Sequence, residues 1–254
     1  MQFNTLKLTL LSFITATSFL GCGEGAGSST QATPSSANAV PDTNNTSKII
    51  NKIQDPLTTA VSYADLFSLL NKQTDKTGLI IDAHGVEGLT IQCGTNQIPT
   101  NQYGLFTCDT FPLSIYLGNF KIGTLTALPK DKIIYTQDIL HLPRAATMHP
   151  DVTKLSMILQ SLDEDADITN GIKLTQESID LLDNELANFT SIEDLTVENV
   201  DNILDSVIAS RKADNPEVKL TKVVDKKAQI NLTEALANTP AKNLNITSFH
   251  SITL

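Results

Sequence analysis

The sequence predicts an α+β fold: a small antiparallel β-sandwich or barrel-like domain, then a three-helix subdomain, with a disordered tether in front. Three observations carry this. Between residues 78 and 128, short apolar runs are separated by glycines, and turn residues recurring about every 8–12 positions mark small antiparallel bodies. After Lys130 the apolar residues fall three and four apart, the period of a helix face. Before Ser47 there is almost no large apolar group outside the first 21 residues, so that stretch cannot bury enough surface to fold.

Residues 1–21 read as a cleaved export signal. Lys7 precedes an apolar run from Leu8 to Leu20 broken only by Thr and Ser, and Gly21 and Cys22 follow. The run has 13 residues, whereas a membrane-spanning helix needs about 20. Cleavage before Cys22 leaves a cysteine at the new N-terminus. The arrangement resembles the bacterial lipoprotein signal, although Phe19 and Leu20 depart from its usual residues. The resemblance implies lipidation of Cys22 and, with Gly23 in place of an aspartate, delivery to the outer membrane. The membrane is then a partner through the N-terminal lipid, since more than one acyl chain gives stable anchoring.

Residues 22–50 form the tether. Ser28, Ser29, Thr30, Pro34, Ser35 and Ser36 set its composition, that of a flexible linker. Within it, Asp42-Thr43-Asn44-Asn45-Thr46 matches the extended acceptor pattern of bacterial N-glycosylation, with Asn44 as the acceptor. Chance occurrence in an Asn/Thr-rich tract is the other reading.

Residues 51–130 are the β-rich domain with a leading helix. Leu57, Val61, Leu66, Leu69 and Leu70 place an amphipathic helix over Pro56–Asn71. Strand-like runs follow, from Leu79-Ile80-Ile81 to Ile122–Leu125. Gly88 and Gly104 fall at turns that demand positive φ or close approach, and Phe106 and Leu117 are expected to face the core. Residues 131–214 are the helical subdomain. Its three apolar sets are Val152, Leu155, Leu159 and Leu162; Ile179, Leu182 and Leu186; and Val200, Ile203, Leu204, Val207 and Ile208. Ser191, with Asp194 three residues on, is expected to cap the third helix. Residues 215–254 read as a strand or extended segment, from Val218, Leu220 and Val223. Ile246, Phe249 and Ile252 offer a further edge strand.

With Cys22 assigned to lipid, Cys93 and Cys108 remain, and an exported pair usually oxidises. The loop between them is rich in Gly, Asn and Pro and lets the chain turn back to lay them on neighbouring strands. Closing a loop of that size is worth roughly 3 kcal/mol in the chain-entropy account. The sharpest chemical motif is Asp163-Glu164-Asp165-Ala166-Asp167. Carboxylates at alternate positions in a turning loop suit a hard cation such as calcium, with Asp163, Asp165 and Asp167 as ligands. Ile168 and Leu174 stand where an EF-hand has Gly and Glu, and an acidic turn between two helices is the other reading. His84, His141, His149 and His250 lack metal-ligand spacing and read as surface or turn residues. No His-Glu-x-x-His, Gly-x-Ser-x-Gly, phosphate loop or dinucleotide fingerprint is present.

Gly85–Cys93, Gly104–Cys108, Leu113–Gly118 and the Asp163–Ile172 run together resemble a module of large Gram-negative surface lipoproteins. These include accessory colonisation factor D and the mucin-degrading SslE lipoproteins. The likeness covers about residues 78–172, and the metallopeptidase domain of those proteins has no counterpart here. It implies a β-sandwich-like extracellular module beside a helical one, with no binding residue to transfer.

The net charge is −10 and the isoelectric point about 4.7. Lys and Arg are unclustered, which argues against a nucleic-acid partner. Trp is absent and aromatics are 5%, too few for extensive stacking on sugars. The expected function is a non-enzymatic, lipid-anchored binding or adhesion module at the cell surface or the periplasmic face, engaging a host glycoprotein, a matrix polymer or an envelope protein. The alternatives are an envelope hydrolase using acidic residues of the helical subdomain, with His141 or His149, and a structural subunit of an envelope assembly.

Overall fold

The computed structural model describes residues 60–239; Cys22, Asn44 and the expected strand at Ile246–Ile252 lie outside them. The protein is a mixed α+β body in which small sheets precede several helices. Helix α1 (Tyr63–Asn71) leads into strands β1 (Thr77–Ile81), β2 (Val86–Glu87), β3 (Thr90–Cys93) and β4 (Asn96–Pro99). Strands β5 (Leu105–Thr107), β6 (Leu113–Leu117), β7 (Phe120–Leu125) and β8 (Ile133–Tyr135) follow. A single helical turn, α2 (Thr136–Ile139), then precedes α3 (Pro150–Ser161), β9 (Ile172–Lys173), α4 (Gln176–Leu186), α5 (Val197–Asp214) and α6 (Asp225–Ala237).

Three sheets result. Strands β4-β3-β6-β7 form an antiparallel sheet. Its β3 and β6 bury every second side chain, the period-2 pattern of a sheet with one covered face. In the second sheet β1 is central, antiparallel to β5 and parallel to β8. The parallel pair departs from the all-antiparallel expectation. Its signal is the unalternating Gly78-Leu79-Ile80-Ile81 run, buried throughout, because a strand covered on both faces has no polar side. The third sheet is a short parallel pair, β2 with β9, which ties the end of the acidic loop to the β-rich half.

The expected core residues hold: Phe106 and Leu117 are buried, and Gly88 and Gly104 take φ of +92° and +80°. The apolar cluster runs without a break from Ile80 through Leu117, Leu159 and Leu204 to Ala228. Helix α3 lies inside it, with every residue from Val152 to Ser161 buried. Its polar side chains are satisfied rather than solvated. Lys154 Nζ donates to the carbonyls of Ile192 and Leu195, both at 2.7 Å, and pairs with Asp151 at 2.6 Å. Ser161 Oγ accepts from Val223 N at 2.8 Å, and Thr153 Oγ1 accepts from Gln229 Nε2 at 2.9 Å. Buried polar groups persist only when paired.

Three local expectations are corrected. The described part of the leading helix starts at Tyr63, because Ser62 takes extended dihedrals and its hydroxyl caps Asp65 N. Ser191 and Asp194 organise a 3₁₀ turn at Ile192–Asp194, and the long helix begins after it, capped by Thr196 with Asn199. Residues 218–224 carry no regular secondary structure and enter no sheet, whereas Asp225–Ala237 is a helix and not a strand. The signal there is Ala228, Leu232 and Ala235 at spacings of four and three, all fully buried.

Cys93 and Cys108 form the expected disulfide, with Cα atoms 5.7 Å apart, at the end of β3 and just beyond β5. It links the four-stranded sheet to the strand beside β1. Replacing both cysteines by alanine is expected to lower unfolding free energy by about 3 kcal/mol, a loss to be read in urea titrations of the oxidised wild type and the double variant.

Candidate functional site

Strand β1 is followed at once by Asp82-Ala83-His84; Ala83 and His84 line a cavity, and Asp82 lies behind them. Asp82 is fully buried. Its Oδ1 accepts from Thr136 Oγ1 of α2 at 2.6 Å and from Ser156 Oγ of α3 at 2.5 Å. Its Oδ2 accepts from Gln160 Nε2 at 2.7 Å and from Ala83 N at 2.8 Å. Gln160 Oε1 in turn accepts from Asn231 Nδ2 of α6 at 2.7 Å. A polar chain thus runs from a sheet through two helices to α6. Among the described residues no basic group pairs with Asp82.

The cavity, about 590 Å³, lies where α1, the Ala83-His84 turn, the Ile168-Thr169 loop and α6 meet. Tyr63 and His84 line it with ring centroids 5.1 Å apart. The Tyr63 hydroxyl donates to Ala83 O. Burial, with Tyr135, Asp82 and Glu234 adding negative potential, pushes the Tyr63 phenol up to about 12. His84 Nε2 bonds Val61 O at 2.7 Å, and burial holds this imidazole below its usual range, so it is neutral. With Nε2–H donating to a carbonyl, Nδ1 is a lone-pair acceptor, buried and without a partner among the described residues. His84 therefore takes the turn position, not the surface position, of the two expected for it, and is buried beside the cavity. Two apolar positions followed at once by Asp82 and His84 were the available sequence signal.

The acidic loop is built as turns. Asp165 Oδ1 accepts from Asp167 N at 2.9 Å, and its Oδ2 from Asn170 Nδ2 at 2.9 Å. Asp167 Oδ1 accepts from Thr169 Oγ1 at 2.6 Å. Asp165 and Asp167 are exposed, whereas Asp163 is buried and holds Lys173 N at 3.0 Å. Among the described residues no three His, Cys, Asp or Glu side chains gather to hold a metal. The calcium expectation thus gives way to local capping. His141 and His149 join no such group either; His149 caps α3 by accepting from Asp151 N.

A second, more polar cleft of about 370 Å³ lies between the open face of the four-stranded sheet and α4. Thr90, Gln92, Gln97 and Tyr116 supply the sheet wall, and Gln176, Asp180 and Asp183 the helix wall. Asp183 fixes the geometry, accepting from Asn119 N at 2.9 Å and Asn119 Nδ2 at 2.8 Å. The β6–β7 turn approaches so closely that a Cβ on Gly118 would lie 2.5 Å from Asp183 Oδ1. Neither cleft was legible in advance, because each draws on segments more than 60 positions apart.

No protein-family model, curated protein or solved structure matches this chain.

Two outcomes follow from this geometry. Asp82→Asn places an amide donor among groups that already donate, so unfolding free energy is expected to fall by about 3 kcal/mol or more; chemical denaturation measures it. Asp163 is raised to about 7, chiefly by burial, with the Lys173 amide opposing and Asp165 and Asp167 reinforcing. The folded chain then keeps a proton that the unfolded chain releases from about pH 4 upward. Stability should fall as pH rises from 4 to 7, by at most about 4 kcal/mol, and level off above. Asp163→Asn should flatten that slope in melting curves taken across the range.

Proposed function

We propose that the protein is a lipid-anchored envelope binding module, and that the polar cleft between the sheet and α4 holds a hydroxyl-rich glycan. In this reading Cys22 is the acylation site at the outer membrane. The β-rich part is a small sandwich-like domain of the kind found in accessory colonisation factor D and SslE lipoproteins, and the three-helix subdomain braces it. The observation that carries the proposal is the cleft's lining. Gln97, Thr90 and Tyr116 make no side-chain hydrogen bond among the described residues, yet stand on one rigid sheet face. Amides, hydroxyls and a carboxylate at fixed spacing match vicinal hydroxyls, which both donate and accept. With one ring in the cleft, recognition rests on hydrogen bonding, consistent with the low aromatic content. Rigid strands keep such groups aimed before the ligand arrives, which lowers the ordering cost of binding.

The full-length chain is expected to bind neutral glycans on an array. Gln97→Ala and Tyr116→Phe should each weaken the best glycan by about five- to tenfold without shifting the melting temperature. Binding equal in all three proteins, or none in the wild type, would exclude the cleft. Anchoring is read separately, from the mass of the N-terminal peptide and from protease access on intact cells. A lipid-free, uncleaved N-terminus in the cytosol would end the envelope assignment.

A further inference from the structure

We infer that the cavity lined by His84 and Tyr63 is a second binding site, for a small primary alkylammonium. A census of its wall gives the reason. The side-chain donors are committed to protein acceptors: Tyr63 Oη to Ala83 O, His84 Nε2 to Val61 O, Ser62 Oγ to Asp65, and Thr169 Oγ1 to Asp167. Asn231 Nδ2 bonds Gln160, and Asn238 Nδ2 bonds Glu234 O at 2.9 Å. What remains is mostly lone pairs. The Glu234 carboxylate and the side-chain carbonyls of Asn231 and Asn238 make no hydrogen bond among the described residues, and behind the wall His84 Nδ1 is a buried acceptor without a partner among them.

Charge points the same way. Among the described residues Glu234 is the only charged one at the wall, and no described Lys or Arg lines it. Directly behind lies Asp82, bonded to the wall through Ala83 N and through Gln160 to Asn231. Its four neutral donors disperse the charge without cancelling it. A buried carboxylate with no counter-ion is costly, and a cation in the adjacent cavity relieves that cost at short range. The rest of the wall, including Val61, Ala64 and Ile168, is apolar and suits a short hydrocarbon stem. The face of Tyr63 adds an attraction for the ammonium. An ammonium has three donors and no acceptor, the complement of this wall.

Calorimetry on the full-length chain tests this with n-butylammonium, n-butanol and butyrate at millimolar concentration. Saturable binding is expected for the ammonium alone, weakening as sodium chloride is added. Glu234→Gln should weaken it about fivefold. Glu177→Gln makes the same change of charge at an exposed position of α4 and should leave it unaltered. Glu234 is exposed, so its amide variant should melt with the wild type. Equal binding of butanol would reduce the cavity to an apolar hole and overturn the proposal. An equal effect of Glu177→Gln would reduce it to bulk charge, and absence of saturable heat with butylammonium would remove it outright.

Discussion

The fold hangs on one buried carboxylate. Asp82 directly follows the central strand of the mixed sheet and collects hydrogen bonds from α2, from two positions of α3 and from its own neighbour. Through Gln160 it reaches α6. Each of those donors is buried and would be costly to leave unpaired. The network therefore fixes the rotation of α3 about its axis and its height against β1. Apolar packing alone specifies such details loosely, because hydrophobic side chains of similar volume substitute for one another.

Once α3 is set, the outer helices have fixed seats. Lys154 draws the 3₁₀ turn onto α3 through two carbonyls. Arg211 of α5 donates to Ser178 of α4 and to Glu164 after α3, so the three helices share one cationic clasp. On the other side Arg144 grips Asp131, Asp138 and Ile133 O and lies 4.9 Å over the Tyr135 ring. The Lys154 and Arg211 contacts link segments of the helical part that are distant in sequence, while one continuous apolar interior joins the β-rich and helical halves. The two clefts are gaps left between seated elements, and their walls inherit that rigidity.

Elements were legible where periodicity spoke. The three helices after Lys130, the strands from Leu79 to Leu125, the buried Phe106 and Leu117, and the pairing of Cys93 with Cys108 all follow from apolar spacing or cysteine context. The unalternating Gly78–Ile81 run marked a strand covered on both faces, but not the parallel direction of its β8 partner, whose Ile133 pairs with Leu79. Helix α6 was hidden by its composition. Asn231 and the small Ala228 and Ala235 face inward, and such residues read as polar or neutral in a pattern search. Lys154 and Gln160 carry no sequence sign of burial either, since each is held by a partner from another segment. The acidic run looked like a cation loop because turns and metal loops share their residue types. The direction of each carboxylate decides between them, and sequence does not encode that directly.

Ala60 and Asn238, near the two ends of the described body, border one cavity. The two ends of the described backbone thus approach one another, and the later one is held in place by the Tyr135–Thr239 hydroxyl contact. Joined, they make a ring, in which the choice of starting point is arbitrary. A short splice from Asn238 to Ala60, with a new opening at the exposed Asn119 turn, would keep every strand pairing and helix seat while reordering the gene that encodes them.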